Sequence, residues 1–182
     1  LFQSYFTGGS LVSVTPTFTP QTINNIPRVA ALLDASPATR GLWKPSRGFT
    51  YNFGQSRLQF FSGEPSARVV GATASLLLSV DEAQDISIAK FDKDFDPMTA
   101  STNATRVFWG TAWTSNTLLE RERRAALRLH QQDGLQRVFS YSPEDIIQLL
   151  PAYQQYLRPE IAKLGRSHPL IRTQYFCETI EA

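Results

Sequence analysis

One short apolar run constrains the fold of this chain more than any other feature of its sequence. Residues Leu76–Val80 read LLLSV, and the acidic pair Asp81-Glu82 follows them directly. A nearly continuous apolar run of this length is typical of a strand buried on both faces of a parallel sheet. Open α/β sheets bind ligands outside the carboxyl ends of such strands, so the acidic pair is the first candidate for a functional site.

Strand and helix patterns alternate through the rest of the 182 residues. Such alternation predicts an α/β fold with a mostly parallel sheet flanked by helices, and the length predicts a single domain over residues 1–182. Further strands are predicted at Leu11–Thr15, Arg57–Phe61, Arg106–Trp109 and Arg137–Tyr141, with loop and edge strand over Pro37–Phe53. Helices are predicted at Gln21–Leu33, from Thr117 to a stop at Gly134, and in three pieces beginning at Ser142, Pro159 and Pro169, the second stopping at Gly165 and the third ending near Ile180.

Composition excludes several other classes of protein. No apolar run reaches the roughly 18–20 residues of a membrane span, so we expect no membrane partner. The single cysteine, Cys177, cannot form an internal disulfide, and two histidines are too few for a Cys/His zinc site. The net charge of +2 is too small to predict a nucleic-acid partner by itself. A reducing, cytosolic setting is expected.

The acidic pair has the form of a Walker B motif, an apolar strand followed by two carboxylates. In that chemistry Asp81 holds Mg²⁺, usually through water, and Glu82 orients and polarises the water that attacks the γ-phosphate of ATP. The alternative is an acidic pair that caps a strand and begins a solvated loop. The remaining segments of the chain have to distinguish the two.

Those segments resemble the ATPase domain of phage terminase large subunits. The resemblance is carried by Asp81–Ile86, by Val14–Thr17 followed by Gln21, by Gly63 with Gly71–Ser75, by Phe108–Ala112, and by His168-Pro169 with Thr173–Tyr175. A helicase of the first superfamily would instead be expected to show a Gly-Asp-x-x-Gln-like motif after Walker B, which is absent. A fragment of such a helicase is therefore the weaker alternative.

The resemblance implies a RecA-like fold of the ASCE class of P-loop NTPases, with Mg²⁺ and ATP as cofactors. It implies that Asp81 is the metal ligand, Glu82 the catalytic base, and Thr111 the residue that couples hydrolysis to DNA movement. Gln21 or Gln84 would contact the nucleotide, and Arg68 would be an arginine finger. The implied partners are double-stranded DNA, the portal protein and the small terminase subunit, with a homo-oligomeric ring in the complete protein.

One motif of the family is missing from the sequence. A P-loop reads G-x-x-x-x-G-K-[ST], yet no lysine of this chain follows a glycine. We therefore expect an N-terminally incomplete ATPase domain whose P-loop would precede Leu1, without the nuclease domain that follows in terminases. The alternative is an inactive, truncated prophage remnant that retains the fold but does not bind ATP.

Several single residues keep a second, structural interpretation. Arg68 is also compatible with a solvated surface arginine, and Thr111 with a residue that satisfies a strand end. Asp92, Asp94 and Asp96 alternate like calcium ligands but lack the glycine and terminal glutamate of an EF-hand, which favours a solvated acidic loop. The arginines of the helix after Thr117 are interleaved with Glu120 and Glu122, which favours an ordinary charged surface over a DNA-binding one. We expect Cys177, Trp109 and Trp113 to lie in the core.

Overall fold

The computed structural model describes residues 6–47, 49–69 and 71–182 of the chain. Their contacts divide into two units, one that ends at Trp109 and one formed by Gly110–Ala182. The expectation of a single domain over residues 1–182 stays a prediction. None of the helices in the described ranges is long and apolar enough to cross a membrane.

A six-stranded sheet organises the first unit. Its strands are β1 (Gly9–Thr15), β2 (Trp43–Ser46), β3 (Thr50–Phe53), β4 (Ser56–Ser62), β5 (Leu77–Val80) and β6 (Thr105–Phe108). They lie in the order β2-β3-β4-β1-β5-β6. Strands β4, β1, β5 and β6 run parallel, while β2 and β3 form an antiparallel extension at one edge. The predicted α/β fold with a mostly parallel sheet is confirmed.

Strand β5 lies between β1 and β6, so the acidic pair follows an interior strand. Leu78 and Val80 are fully buried, whereas Leu77 and Ser79 are only half-buried. Leu76 lies outside the strand and is exposed. The predicted burial on both faces is therefore wrong, because alternate side chains of a strand point to opposite faces and one face here is more deeply covered.

Helix α1 (Ile23–Ala35) covers part of the sheet with an apolar face that includes Ile26 and Ala30. Its residue Leu33 joins Tyr51 of β3 and Phe60 of β4 in a buried cluster. The Tyr51 hydroxyl donates a hydrogen bond to the Ile26 carbonyl at 2.9 Å, so the helix and the antiparallel extension are also joined by a polar contact. The helix begins two residues after the predicted Gln21, because a separate helical turn at Phe18–Thr22 precedes it.

The second unit is helical, and local sequence signals set the ends of its longest helix. Thr117 accepts a hydrogen bond from the Glu120 amide, and Gly134 takes the left-handed conformation with φ of 74°, as predicted for the two ends. Ser142 begins the next helix, also as predicted, and forms a capping box with Asp145. The helices are α2 (Leu118–Asp133), α3 (Pro143–Leu149), α4 (Ala152–Leu164) and α5 (Pro169–Gln174).

Three predicted elements of this unit differ in the structure. Arg137–Tyr141 forms no strand, because the segment has no strand beside it and Arg137 instead pairs with Asp133 at 2.5 Å. Pro159 lies inside α4 instead of starting it, since the helix is already fixed by the buried Leu157. Helix α5 ends well before Ile180, because the chain reverses at Cys177, where φ is 53°.

The predicted core positions of three residues are also wrong. Cys177 is exposed, because the reversal of the chain after α5 carries it out of the helix in which it was expected. Trp109 and Trp113 are 58% and 38% exposed. Trp109 keeps its polar edge satisfied by donating from Nε1 to the Ser79 hydroxyl at 3.1 Å, which leaves much of its ring on the surface.

Candidate functional site

Main-chain hydrogen bonds fix the acidic pair at the carboxyl end of β5. The Asp81 amide donates to the Val14 carbonyl of β1 at 2.8 Å. On the other side, the Ala83 amide donates to the Trp109 carbonyl at 2.9 Å, and the Trp109 amide donates to the Val80 carbonyl at 2.8 Å. The turn that carries both carboxylates is therefore held by both neighbouring strands, at the sheet edge where α/β proteins bind ligands.

Glu82 has an unusual backbone conformation. Its φ and ψ of 47° and 48° place it in the left-handed region, which costs a residue with a Cβ roughly 1–2 kcal/mol. Its amide donates to Asp81 Oδ1 at 3.1 Å, and its own Oε2 accepts a hydrogen bond from Gln84 Nε2 at 2.5 Å. The structure thus brings together three of the predicted site residues, Asp81, Glu82 and Gln84.

The oxygen donors of this turn fit a magnesium ion that is shared with a ligand. Both carboxylates are half-buried and reachable from solvent. Mg²⁺ in nucleotide sites is bound by one or two carboxylates together with phosphate oxygens and water, not by a full cage of protein ligands. The described residues contain no cluster of three or more His, Cys, Asp or Glu that would form such a cage. Asp81 and Glu82 supply the one or two carboxylates that a shared magnesium site needs.

Gln21 follows β1 and is hydrogen-bonded to Thr17 and not to the acidic pair. Its Oε1 accepts hydrogen bonds from both the amide and the hydroxyl of Thr17, each at 2.9 Å. Gln21 lines a groove of about 510 Å³ whose walls also include Glu64 and Asp85. Neither Asp81 nor Glu82 lines this groove, so the structure groups Gln84, but not Gln21, with the acidic pair.

Arg68 is exposed on the loop between β4 and β5. The residue before it, Ala67, is held in place by Lys90, whose Nζ donates to the Ala67 carbonyl. Lys90 is buried, and its Nζ lies 2.6 Å from Asp94 Oδ2. Sequence reasoning missed Lys90; the spacing of four residues to Asp94 was the available signal, because residues at i and i+4 meet on a helical face.

The three alternating aspartates do not form a calcium site. Asp94 pairs with Lys90, and Asp96 pairs with Arg106 at 2.5 Å. They lie on short helical turns at Phe91–Phe95 and Asp96–Thr99, where a solvated acidic loop was expected. Thr111 is the second residue of the helical unit and is half-buried. Its role in coupling stays a prediction.

A buried carboxylate organises the charged helix α2. The Glu120 side chain is 5% exposed and accepts hydrogen bonds at 2.7 Å from Nε of both Arg123 and Arg124. Thr179 donates to it as well, at 3.1 Å. The hydrogen bond from Arg123, followed by those from Arg124 and Thr179, lowers the pKa of Glu120 to about 2 against the opposing effect of burial. Two of the helix arginines are therefore engaged within the protein, which supports the charged-surface interpretation.

No protein-family model matches the sequence, and no curated protein is detectably similar to it. Solved structures of phage large terminases, however, superpose on nearly the whole chain. The ATPase domain of the Thermus phage P74-26 large terminase matches 98% of this chain with a TM-score of 0.70 and 12% sequence identity. This chain has the fold of a large-terminase ATPase domain.

Two further terminases share this fold. The large terminase of a thermophilic bacteriophage matches 95% of this chain with a TM-score of 0.65 and 13% identity. The HK97 bacteriophage large terminase matches 94% of it with a TM-score of 0.66 and 12% identity. This chain spans 41% and 40% of those two terminases, and 80% of the P74-26 ATPase domain. The thermophilic bacteriophage protein has also been solved in complex with ADP.

Proposed function

We propose that this chain is part of the ATPase of a viral or prophage DNA-packaging motor, in which ATP hydrolysis drives the translocation of double-stranded DNA. The observation that carries the proposal is the pair Asp81-Glu82 at the carboxyl end of β5, with Gln84 bound to Glu82 at 2.5 Å, in a terminase-like fold. The ADP complex of the thermophilic bacteriophage terminase supports nucleotide as the ligand class.

In this proposal the two carboxylates have different tasks. Asp81 would hold Mg²⁺, and the metal when bound would supply the positive charge that stabilises the transferring phosphoryl group. Glu82 accepts the proton of the attacking water and orients it. Gln84 occupies Oε2 of Glu82 and thereby leaves Oε1 for the water, which makes Gln84, and not Gln21, the glutamine that we assign to the nucleotide side. Both tasks need the backbone of the turn to stay fixed, which the bonds to Val14 and Trp109 provide.

The remaining roles are proposed from the resemblance. Arg68 is exposed, as a residue that reaches the phosphate of a neighbouring subunit must be. Thr111 follows β6 and is proposed to report the state of the γ-phosphate to the surface that moves DNA. The proposed partners are the portal protein, the small terminase subunit and other copies in a ring, in the cytoplasm of a bacterial host.

The proposal requires a phosphate-binding segment that the 182 residues do not contain. Backbone amides and a lysine must hold the phosphates before Asp81 and Glu82 can act on them. We therefore expect the chain by itself to show no magnesium-dependent ATP hydrolysis above background. The same missing motif favours one alternative, an inactive prophage remnant that keeps the fold.

The deciding experiment uses a longer protein in which a strand, P-loop and helix precede this chain. We expect magnesium-dependent hydrolysis there, and a loss of turnover of about 10²–10⁴-fold in Glu82→Gln with nucleotide binding retained, because a general base acts only on the chemical step. Asp81→Asn is expected to weaken magnesium binding as well. Thr111→Ala is expected to hydrolyse ATP without packaging DNA.

The matched control is Glu181→Gln, which neutralises an exposed carboxylate in the second unit. It is expected to leave turnover unchanged. Near-normal turnover in Glu82→Gln would show that the acidic pair only caps a strand. No hydrolysis in the longer protein would favour the remnant.

A further inference from the structure

The groove lined by Gln21 lies outside the carboxyl ends of three adjacent parallel strands, β4, β1 and β5. Residues that follow each of these strands form its walls, so the groove is built by the sheet and not by a single loop. Three prolines, Pro16, Pro20 and Pro65, contribute rigid apolar surface to it. A groove of about 510 Å³ in this position is large enough for several residues of a peptide or for a small ligand.

The charge of the groove excludes phosphates as its natural ligand. Glu64 and Asp85 contribute two carboxylates, and no Lys, Arg or His is among the described residues that line it. Neither carboxylate forms an ion pair with any residue that the structure describes. An anion would therefore be repelled, and a cation would be attracted without having to break an ion pair within the described part of the chain.

Gln21 adds a hydrogen-bond donor to the same groove. Since the Thr17 amide can only donate, the atom of Gln21 that faces it must be the oxygen, and that oxygen already accepts two hydrogen bonds. The NH₂ group of Gln21 then has no acceptor in the described part of the chain and can donate to a carbonyl of a bound peptide. The prolines offer an apolar surface on which the methylene groups of a long cationic side chain can lie.

We propose that this groove docks an extended segment of a partner protein through an arginine side chain. The guanidinium pairs with Glu64 and Asp85, its methylene stem lies across the prolines, and a main-chain carbonyl of the segment accepts from Gln21. Arginine fits better than lysine because its planar group presents five donors in a fixed fork and serves two carboxylates at once. The inference does not depend on ATP hydrolysis or on the roles proposed for Asp81 and Glu82.

The test uses the isotope-labelled chain and two matched peptides, acetyl-Ala-Ala-Arg-Ala-Ala-amide and the same peptide with citrulline, which has nearly the shape of arginine but no charge. NMR titration reports which amides respond. We expect the arginine peptide to shift Thr17, Gly63 and Ser87, and its affinity to fall as salt is raised. The citrulline peptide is expected to bind roughly tenfold more weakly, because it lacks the charge that strengthens the hydrogen bonds to both carboxylates.

Neutral variants of the groove give the second arm of the test. Glu64→Gln and Asp85→Asn keep the shape of the side chains, and each is expected to lower the affinity for the arginine peptide about three- to tenfold. Glu181→Gln is the matched control and is expected to bind like the parent. Unchanged amide spectra away from the groove establish that the variants are folded.

Four results would overturn the proposal. Equal affinity for the arginine and citrulline peptides would show that charge does not contribute to binding. Full affinity for the arginine peptide in the Glu64→Gln and Asp85→Asn variants would show the same. Displacement of the arginine peptide by inorganic triphosphate from the same amides would make the groove an anion site. Concentration-dependent shifts of the groove amides in the chain alone would assign it to a second copy of this chain.

Discussion

Replacing Glu120 by glutamine should destabilise the helical unit by an amount that depends on pH. The carboxylate is 5% exposed and accepts hydrogen bonds from Arg123, Arg124 and Thr179. Lowering its pKa from 4.5 to about 2 corresponds to at most about 3.4 kcal/mol. The two arginines are 42% and 52% exposed and stay partly hydrated, so we expect a loss nearer to about 2 kcal/mol at neutral pH.

The sign of the pH dependence follows from the direction of the pKa shift. A carboxylate whose pKa is lowered by folding contributes its stability above the pKa of the unfolded chain and loses it as the pH falls towards the folded value. The gap in unfolding free energy between the parent and Glu120→Gln should therefore be full at neutral pH and narrow as the pH falls from 4.5 to about 2.

Urea unfolding of the whole chain at several pH values measures this gap. Glu122→Gln is the matched control on the same helix, since Glu122 pairs with Arg121 at 2.8 Å near the surface and its loss should cost less than about 0.5 kcal/mol. Equal losses in the two variants, or a gap that stays constant down to the folded pKa of about 2, would refute the assignment of Glu120 as the buried charge that orders α2.

Three further changes have defined outcomes. Lys90→Met leaves the Asp94 carboxylate and the Ala67 carbonyl without their donor. It should lower the free energy of unfolding in denaturant by about 1–3 kcal/mol and speed amide exchange over residues 64–69. Unchanged exchange over these residues would contradict this prediction. Glu82→Gly relieves the strain of a left-handed backbone at a residue with a Cβ, and should raise the free energy of unfolding by about 1 kcal/mol. A lowered melting temperature would argue against backbone strain at Glu82. Gly9→Ala should lower the free energy of unfolding, because Gly9 has a φ of 142° and a Cβ there would lie 2.5 Å from Leu76 Cδ1. Adding Leu76→Ala to the same chain should restore only part of this stability, since the backbone strain remains.

Features encoded in short stretches of sequence were predictable. The apolar run before Asp81 identified β5, and the pattern at Arg106–Trp109 identified β6, because each strand is encoded in a few adjacent residues. Thr117 and Gly134 fixed α2 for the same reason, since capping depends on side chains within one turn of the helix end. The acidic pair could be placed at the sheet edge because it directly follows a strand.

Features that need a distant partner were not predictable. Arg137–Tyr141 has the composition of a strand, but a strand exists only where another supplies its hydrogen bonds. The contact of Lys90 with the Ala67 carbonyl joins residues 23 positions apart and leaves no periodic signal. Part of the candidate site was missed for a similar reason, because the left-handed backbone of Glu82 is a property of the folded turn and not of its composition.

The way in which the turn after β5 is held has an evolutionary consequence. Its anchors at Val14 and Trp109 are carbonyl groups, which every amino acid possesses, so they place no demand on the side chains at either position. Sequences can drift far apart while this turn keeps its shape. Under the proposed function, a chain inactivated by Glu82→Gln would then retain the surfaces of an active one. If subunits assemble in a ring, such a chain would enter it and stall its neighbours, so a single altered copy could act as a dominant inhibitor.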